Sequence, residues 1–326
     1  MKKSKIVVYT ALFGNYSGLI EQPKIKGVDY ICYTDQDLKS KSWKVIKVEP
    51  PIPGDNTRSN RYYKILPHKH LKEHRISVYI DANYLIIGNF TSFVFENLTE
   101  NSILCFDHNQ TVFDKRDCIY DEFEELFKMA NEYGVVRDSP QTMKEQIVFF
   151  REENYPDHNG LIFAAVLIRK HLDKDIIKLM ELWWSFVKNR SKRDQLSFNY
   201  CLWKLKFNRI AYIDGDLRAG NPWFRWIEHK LNFKKDLARI KREVFIKKNF
   251  PFMNRFLEPV FVNNLLFYLN FPITLIKFNK WVLRYSESPI SKKEKLNLLN
   301  VIISKKLNKN KIKELIINDS QKKHNI

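Results

Sequence analysis

Apolar runs of the strand type alternate with helical patterns over the first part of the chain. β-Branched and aromatic residues concentrate in short runs, which predicts buried strands, while residues 56–67 have the spacing of a helix. Strands and helices that alternate in this way indicate an α/β domain built on a mostly parallel, doubly wound sheet. The predicted strands are the apolar run that starts at Lys5 and ends in a Gly-Asn turn, Asp29–Thr34, Trp43–Val48 and Ser77–Ile86.

The last of these runs carries two polar residues, Asp81 and Asn83, at its C-terminal end. Ligands of open α/β sheets bind at the carboxyl ends of the strands. A carboxylate and an amide oxygen suit a hard divalent cation such as Mn²⁺ or Mg²⁺, which would hold a diphosphate and neutralise a leaving nucleotide. Asp-x-Asn also occurs in ordinary turns, where both residues favour local side-chain bonds. From these residues alone, both interpretations stay open.

The helix predicted over residues 56–67 carries three cations, Arg58, Arg61 and Lys64, at a spacing of three. This spacing predicts that they share one helix face. Guanidinium forks match phosphate oxygens, so the three residues are candidates for phosphate binding. The alternative is a solvated cationic face, which is the commoner role of such a row.

Several motifs in one order resemble a known family. The chain is similar to GT-A nucleotide-sugar glycosyltransferases, and especially to a group shared by bacteria and plants that has mucilage-related and turgor-related plant members. A more distant likeness is to the family-8 glycosyltransferases. The resemblance covers about residues 4–230 and lies in Val8–Tyr16, Arg61–His68, Tyr79–Asn83, His108 through Arg116 with Cys118, Tyr120 and Glu122, Gly160–Arg169 and Arg193–Phe198.

The resemblance implies a GT-A-like fold and transfer of a hexose-type sugar from a nucleotide-sugar donor. It implies that the first strand-to-helix loop, with Thr10, Ala11 and Tyr16, holds the base and ribose of the donor. Asp35, at the end of the second strand, would accept a hydrogen bond from the base. Each of these four residues is equally explained by turn chemistry. For the donor phosphates, the resemblance favours Arg61 and Lys64 over Arg58.

The pair Asp194–Gln195 follows a basic run and has two interpretations. A helix N-cap is the ordinary role of such an aspartate. The resemblance to family-8 enzymes instead implies that both residues lie beside the sugar, where they bind it or stabilise a cationic anomeric centre. Glu122 and His108 are alternatives for a general base, which an inverting mechanism would need near the acceptor.

The predicted metal site departs from the family-8 pattern. Asn83 stands where an aspartate is expected, and a neutral ligand lowers the affinity for a cation, so dependence on Mn²⁺ or Mg²⁺ is left open. His229 resembles the late histidine that completes the metal site in related enzymes. A lone histidine in a Trp-rich stretch is more often a packed one.

Charge is concentrated in the last part of the chain. Residues 231–326 hold 21 Lys or Arg and 7 Asp or Glu, a net charge of +14 out of +19 for the whole chain. Within them, Phe250–Phe278 is aromatic and apolar but is broken by Pro259 and Pro272, so it is a poor spanning helix. We therefore divide the chain into a glycosyltransferase domain over residues 1–230 and a basic, aromatic helical appendage over 231–326.

Three roles for the appendage remain. It can be a helical subdomain that packs on the catalytic domain or on a second subunit, with solvated lysines. It can be an interfacial segment on anionic lipid, since an apolar stretch flanked by cations binds such surfaces. Binding to nucleic acid ranks third, because no recognition motif accompanies the charge.

The expected function is transfer of a sugar to a glycan or lipid-linked acceptor in surface polysaccharide biosynthesis. Four cysteines without metal-ligand spacing favour a reducing compartment, so we expect a cytoplasmic protein, peripheral on the inner face of the membrane if the appendage binds lipid. The alternatives are a sugar-nucleotide-binding or scaffold protein that has lost turnover, and a membrane-surface or nucleic-acid binding module.

Overall fold

The computed structural model describes residues 6–14, 18–112, 114–218 and 220–227. Over these residues, strands and helices alternate as the sequence predicts. The strands are β1 (Ile6–Leu12), β2 (Val28–Thr34), β3 (Lys44–Lys47), β4 (Ile76–Ile80), β5 (Tyr84–Ile86), β6 (Ile103–Asp107), β7 (Ile162–Arg169), β8 (Ile210–Ile213) and β9 (Phe224–Trp226).

The helices lie mainly between strands. Several begin at side-chain caps, for example at Asp55, Ser139 and Asp173, whose oxygens accept from backbone N–H groups of the first turn. The helices are α1 (Asn56–Ile65), α2 (Pro67–His70), α3 (Thr91–Asn97), α4 (Ile119–Tyr133), α5 (Pro140–Glu152), α6 (Lys174–Asn189) and α7 (Gln195–Lys204), with a 3-10 turn at His108–Gln110.

Seven of the strands form one mixed sheet in the order β3-β2-β1-β4-β7-β6-β8. β1, β2, β3 and β4 pair in parallel, and β6 pairs in parallel with β8. β7 is antiparallel to both of its neighbours, β4 and β6. The predicted α/β class with a mostly parallel sheet is therefore confirmed.

Both faces of the sheet are covered, as a doubly wound arrangement requires. Alternate strand residues such as Tyr9 and Tyr79 face a core that α1, α4, α5, α6 and α7 close. Their neighbours, such as Val8 and Val78, face a second core that is closed by α3 and by the small antiparallel sheet of β5 and β9. The inner strands β1, β2, β4, β6 and β7 are buried on both sides, which explains their continuous apolar runs, whereas the edge strands β3 and β8 are partly exposed.

The predicted strand Ser77–Ile86 is two strands in the structure, and in this respect the prediction is wrong. β4 ends at Ile80, the backbone turns at Asp81–Asn83 with the Tyr84 amide donating to the Asp81 carbonyl at 2.9 Å, and β5 then pairs with β9 instead. Asp81 and Asn83 therefore lie in a turn between two sheets, directly after β4. Their place beyond a parallel strand is as predicted.

Among the described helices, none is long and apolar enough to cross a bilayer. The basic appendage at 231–326, together with the proposed boundary near residue 230, lies outside the described residues and stays a prediction.

Candidate active site

Polar side chains from separate elements meet at the carboxyl edge of the large sheet. β4 ends before Asp81, β6 ends at Asp107 and is followed by His108, and the reversed strand β7 starts at this edge because Ile162 pairs with Asp107. The N-terminus of α7 lies beside it, since the side-chain nitrogen Nε2 of Gln195 donates to the Ile162 carbonyl at 2.8 Å. This edge is where ligands of α/β sheets bind.

Asp81 is partly exposed and directly follows the C-terminal end of β4. Its Oδ1 accepts a hydrogen bond from the Tyr79 hydroxyl at 2.8 Å, and its amide continues the sheet by donating to the Ala165 carbonyl at 2.9 Å. Residues two apart in a strand share a face, which places Tyr79 beneath Asp81. The carboxylate is thus fixed at the sheet edge on the side of α1 and α7.

Asn83 is buried two residues later. Its side-chain nitrogen donates to the Ile227 carbonyl at 3.2 Å, and the Ile227 amide donates back to the Asn83 carbonyl at 2.9 Å. The amide nitrogen is therefore used to hold the end of the small sheet, which leaves the side-chain oxygen as the atom able to ligate a cation.

Asp194 is the most heavily paired carboxylate of the edge. Its Oδ2 lies 2.5 Å from Lys64 Nζ and 3.0 Å from Arg61 Nε, and both Asp194 and Lys64 are only 2% exposed. Its Oδ1 accepts from the Gln195 amide at 3.2 Å as the N-cap of α7. The predicted helix cap is present, together with two ion pairs that the sequence does not predict, and the role of Asp194 beside the sugar stays a prediction.

The charges around Asp194 keep it ionised. Burial alone would raise the pKa of this carboxyl, but the positive charges of Arg61, Lys64 and Arg193 outweigh it and hold the pKa well below its usual range. Asp194 is a carboxylate throughout the physiological pH range. It can therefore act as an acceptor of hydrogen bonds from sugar hydroxyls or as a negative charge beside an anomeric centre.

Lys64 joins the two predicted motifs. Its ammonium group lies 5.2 Å from the centre of the Tyr79 ring, while the Tyr79 hydroxyl donates to Asp81. The backbone carbonyl of Lys64 accepts from Tyr9 at 2.8 Å and from the buried Arg169 at 2.8 Å, which fixes the end of α1. Asp194, Lys64, Tyr79 and Asp81 form one continuous chain of contacts.

Glu122 is a second carboxylate that pairs with two cations. It lies in the first turn of α4, is 1% exposed, and accepts from Arg116 Nε and Arg193 Nη2, both at 2.9 Å. Burial would raise its pKa, but Arg193 and Arg116 outweigh burial and hold the pKa of Glu122 below its usual range. With both oxygens engaged, Glu122 orients two arginines and is a poor proton acceptor.

His108 is the other candidate base. Its ring stacks on Phe163 at a centroid distance of 5.3 Å, and its Nε2 lies 3.4 Å from Arg116 Nη2. Burial is the main cause that lowers the pKa of His108, so the imidazole is neutral at neutral pH. Within the described residues, its buried Nδ1 has no hydrogen-bond partner.

Arg58 does not join Arg61 and Lys64 at Asp194. Its guanidinium pairs with Asp55 and donates to the carbonyls of Val187 at 3.0 Å and Arg190 at 2.7 Å. Three-residue steps on a helix rotate by about 60° each, so positions 58 and 64 differ by about 120° around the axis. The predicted common face holds for the last two cations, while Arg58 ties α1 to the end of α6.

The loop after β1 is held by Asp35, whereas Thr10 and Ala11, which were expected in this loop, lie inside strand β1 and are buried. Asp35 accepts from the Gly14 amide with both oxygens at 3.1 Å, and the Ala11 carbonyl accepts from Asn60 at 2.5 Å. Thr10 is fully buried, and its hydroxyl has no partner among the described residues. Tyr16 and His229, the remaining donor-site and metal-site candidates, lie outside the described residues.

Residues 29–214, more than half of the chain, match the family described as TOD1/MUCI70, glycosyltransferase-like domain. The chain belongs to this family. The predicted resemblance to a glycosyltransferase group with mucilage-related plant members is confirmed. A comparison with curated protein sequences finds no match.

Several solved glycosyltransferase structures are similar to the TOD1/MUCI70 chain. The bifunctional glycosyltransferase WbbM has 12% identity and a TM-score of 0.40 over 74% of this chain and 45% of its own. GlyE of Streptococcus pneumoniae has 12% identity and a TM-score of 0.33, covering 65% and 46%. The galactosyltransferase LgtC has 15% identity and a TM-score of 0.36, covering 64% and 73%. The chain thus spans less than half the length of WbbM and of GlyE.

The fit of a divalent cation to the TOD1/MUCI70 site rests on few ligands. Asp81 offers one carboxylate and Asn83 one amide oxygen, while the third candidate lies outside the described residues. Mg²⁺ and similar cations are often held by one or two carboxylates together with substrate phosphates. The donor set therefore fits a cation that a bound diphosphate completes, and it does not fit a closed protein cage.

A separate group of possible ligands lies at the start of α4. Within the described part of the chain, Cys118, Asp121 and His158 have donor atoms within 4.8 Å of one another. The His158 ring nitrogen Nδ1 is already 2.7 Å from Asp117. None of these residues was predicted as a metal ligand.

Five polar residues of the site were not predicted: Asn60, Tyr79, Arg116, Arg193 and Arg218. Tyr79 has a sequence signal, since a tyrosine two positions before a strand-end aspartate shares its face. Arg116 and Arg193 lie inside the resembling motifs, yet nothing in the sequence pairs them with Glu122. Arg218, which binds Asp114 through both oxygens at 2.7 and 2.9 Å, follows β8 and has no local signal.

Proposed function

We propose that the protein transfers a sugar from a nucleotide-sugar donor to a glycan or lipid-linked acceptor in surface polysaccharide biosynthesis. Membership of a glycosyltransferase-like family supports the class of reaction. The donor, the acceptor and the pathway are inferences from the chemistry of the site.

The observation that carries this proposal is the chain of contacts from Asp81 through Tyr79 and Lys64 to Asp194. It brings a carboxylate at the sheet edge, suited to a cation and diphosphate, next to a carboxylate suited to the sugar. A nucleotide sugar presents these two groups in direct sequence, since its diphosphate is bonded to the anomeric carbon. The diphosphate and the sugar of the donor therefore follow each other in the same order as Asp81 and Asp194 do in the site.

Arg61 and Lys64 are the proposed contacts for the diphosphate. Together they exceed the charge of Asp194 by one, so they can attract an anion while remaining paired. Preorganised cations that already face the leaving group stabilise its developing charge without rearrangement. Asp194 and Gln195 would accept and donate hydrogen bonds at the sugar, and Thr10, Ala11, Tyr16 and Asp35 would line the nucleoside side.

For the cofactor we propose Mn²⁺ or Mg²⁺, held by Asp81 and Asn83 with His229 and the donor phosphates. When bound, the cation would supply Lewis-acid neutralisation of the leaving diphosphate. Asp81 itself is oriented for ligation by the Tyr79 hydroxyl.

For an inverting reaction we propose His108 as the proton acceptor. Its imidazole is neutral, and Arg116, which Glu122 orients, lies beside it. A base must be unprotonated and have a free acceptor atom. Both oxygens of Glu122 are engaged by arginines, whereas the Nδ1 of His108 has no hydrogen-bond partner among the described residues.

The proposed location is the cytoplasm, peripheral on the inner face of the membrane. The support is compositional: the net charge of +14 and the apolar stretch Phe250–Phe278 within residues 231–326. Charge attraction and apolar insertion act together in such segments. Sedimentation with anionic vesicles at low and high salt tests this part separately, because screening weakens the attraction.

Donor hydrolysis without acceptor tests the core of the proposal. The full chain is assayed across a panel of nucleotide sugars with Mn²⁺, with Mg²⁺ and with chelator. We expect hydrolysis of at least one donor, and a loss of about 100-fold or more in Asp81→Ala with the fold intact.

The control variant is Asp81→Asn, which keeps an acceptor for the Tyr79 hydroxyl but removes the charge. If charge at the diphosphate is what matters, Asp81→Asn is inactivated nearly as strongly as Asp81→Ala. Near-normal turnover in Asp81→Ala contradicts the proposed diphosphate site. A folded wild-type chain that binds nucleotide sugars yet hydrolyses none supports the scaffold alternative.

A further inference from the structure

A groove with sugar-recognition chemistry runs along α7 and the edge strand β8, away from Asp81. It encloses about 640 Å³. Its lining combines amides and aromatic rings, which are Asn159, Asn199, Trp203, Phe207, Asn208 and Tyr212, with Leu202 and two lysines, Lys204 and Lys206. Amide groups form hydrogen bonds with the hydroxyls of a sugar, and aromatic rings pack against its C–H faces, so this combination suits a carbohydrate better than a purely apolar ligand.

The groove is connected to the transfer site by two structural links. Gln195 and Asn199 lie one turn apart on α7, and they hold the same residue: Gln195 donates to the Ile162 carbonyl, and Asn199 accepts from the Ile162 amide at 2.9 Å. The site end of the groove therefore lies about 6 Å along the helix from the proposed sugar position.

The second link is the segment from Asn159 to Ile162. Gly160 has a φ of +84°, and a Cβ there would lie 2.8 Å from the Asn199 amide nitrogen and 3.5 Å from the Tyr212 hydroxyl. A side chain at this position would enter the junction between groove and site. Glycine therefore allows Asn199 and Tyr212, which line the groove, to pack closely against the segment that leads into β7.

Tyr212 and Asn208 expose part of their surface at the groove, and the Tyr212 side chain is also hydrogen-bonded to Asn199. Tyr212 is 39% exposed on the edge strand, and Asn208 is exposed in the turn before it. Trp203 is partly buried, with one edge packed on Tyr155 and Tyr200, so its position is fixed by the core. An aromatic ring that the core already holds in place costs little ordering on binding.

We propose that this groove is an acceptor subsite. It binds sugars of an extended glycan that are further from the transfer site than the sugar that receives the transferred residue. The inference rests on the proposed function and specifies the acceptor as a chain of several sugars. Its consequence is a preference for oligosaccharide over monosaccharide acceptors.

Binding without donor tests the subsite independently of catalysis. The probes are cellotetraose, maltotetraose and chitotetraose, with glucose and N-acetylglucosamine as their monosaccharide counterparts, measured by ligand-observed NMR and calorimetry on the full chain. We expect at least one tetrasaccharide to bind about tenfold or more tightly than its monosaccharide. Tyr212→Ala and Asn208→Ala should each weaken that binding by about threefold or more.

The matched control is Phe95→Ala, which removes another exposed aromatic ring, from α3 on the opposite face of the sheet. It should leave tetrasaccharide binding unchanged, and all three variants should bind UDP as the wild type does. Absence of binding by every tetrasaccharide, or equal binding by wild type, Tyr212→Ala and Asn208→Ala, overturns the subsite.

The two failures are distinguishable. If tetrasaccharides bind through Tyr212 but hydrolysis of nucleotide sugars does not need Asp81, the proposed function fails and the groove stands as a glycan site. If hydrolysis needs Asp81 but no tetrasaccharide binds, only the subsite is lost.

Discussion

The two buried carboxylates of the site have the same number of cationic partners but different surroundings. Asp194 is paired with Lys64, which is 2% exposed, and with Arg61. Glu122 is paired with Arg116 and Arg193, whose side chains are 16% and 27% exposed. Arginines at the edge can turn toward water when their partner is lost, whereas Lys64 cannot. The comparison separates a carboxylate that the fold needs from one that mainly orients its neighbours.

The largest expected effect is on stability at Asp194. Asp194→Asn keeps an N-cap for α7 but leaves Lys64 with a buried charge facing a neutral amide, which should lower the free energy of unfolding by about 3–5 kcal/mol. Glu122→Gln should cost only about 1–3 kcal/mol, because its arginines reach solvent. Urea unfolding of both variants measures the difference, and equal losses would show that exposure of the cations does not matter.

The next largest effect is expected on the affinity for nucleotides, which should depend on Arg61 and Lys64. Arg61→Ala should weaken the affinity for a nucleoside diphosphate by about 1.5–3 kcal/mol and leave nucleoside affinity nearly unchanged, because the lost contact is to phosphate. Lys64→Ala should act in the same direction. Isothermal calorimetry with UDP and uridine checks this prediction.

Arg58→Ala is the matched control for Arg61→Ala on the same helix. It removes contacts to Asp55, Val187 and Arg190, so it should lower stability while leaving diphosphate affinity unchanged. A drop in both nucleoside and diphosphate affinity for Arg61→Ala would indicate a collapsed pocket instead of a lost phosphate contact.

Acid should act on both carboxylates in the same direction. Both have a pKa below the usual range in the folded chain, so the stability that they contribute is fully present above their unfolded values of about 3.9 and 4.3. It is lost as pH falls below about 4 toward the folded values. Unfolding free energies measured from pH 6 to pH 3 should fall less steeply in Glu122→Gln than in the wild type. A parallel decline would show that Glu122 titrates normally.

The smallest effect is expected at Asn83. Asn83→Asp restores the aspartate of the family-8 pattern, and it should leave activity unchanged or tighten the dependence on Mn²⁺, because a charged ligand raises cation affinity. Donor hydrolysis as a function of Mn²⁺ concentration measures this. Strong inactivation would mean that the amide nitrogen, which holds the Ile227 carbonyl, is the functional atom.

The sequence predicts β1, β2, β3 and the run that holds β4 and β5 from their apolar residues, and it predicts α1 and the cap of α7 from local signals. It does not predict β6, β8 or β9. It does not predict the break after Ile80. Tyr84–Ile86 has strand character in itself, and only pairing with Phe224–Trp226, far along the chain, determines which sheet it joins. Local propensity contains no information about that partner.

The site shows the same limit at the level of side chains. Asp194 as a cap is readable from its position before a helix, but its pairing with Lys64 joins residues 130 positions apart and needs the tertiary fold. The spacing of three predicts one face for Arg58, Arg61 and Lys64, but the rotation of the helix separates Arg58 from the other two. The sequence therefore predicts which charged residues belong to the site, but it does not predict which of them pair with one another.

The reversed strand β7 has a consequence for the path of the chain. β7 starts where the parallel strands have their carboxyl ends, and it runs toward their amino ends. The chain must therefore return along the length of the sheet before α7 can begin. β7 has 8 residues and α6 has 16, which correspond to about 26 Å and about 24 Å, so the helix retraces the strand almost fully. The length of α6 therefore sets where Asp194 lies. Removal of one helical turn would shorten the return by about 5 Å and draw the carboxylate away from Lys64 without any change to the residues that bind it.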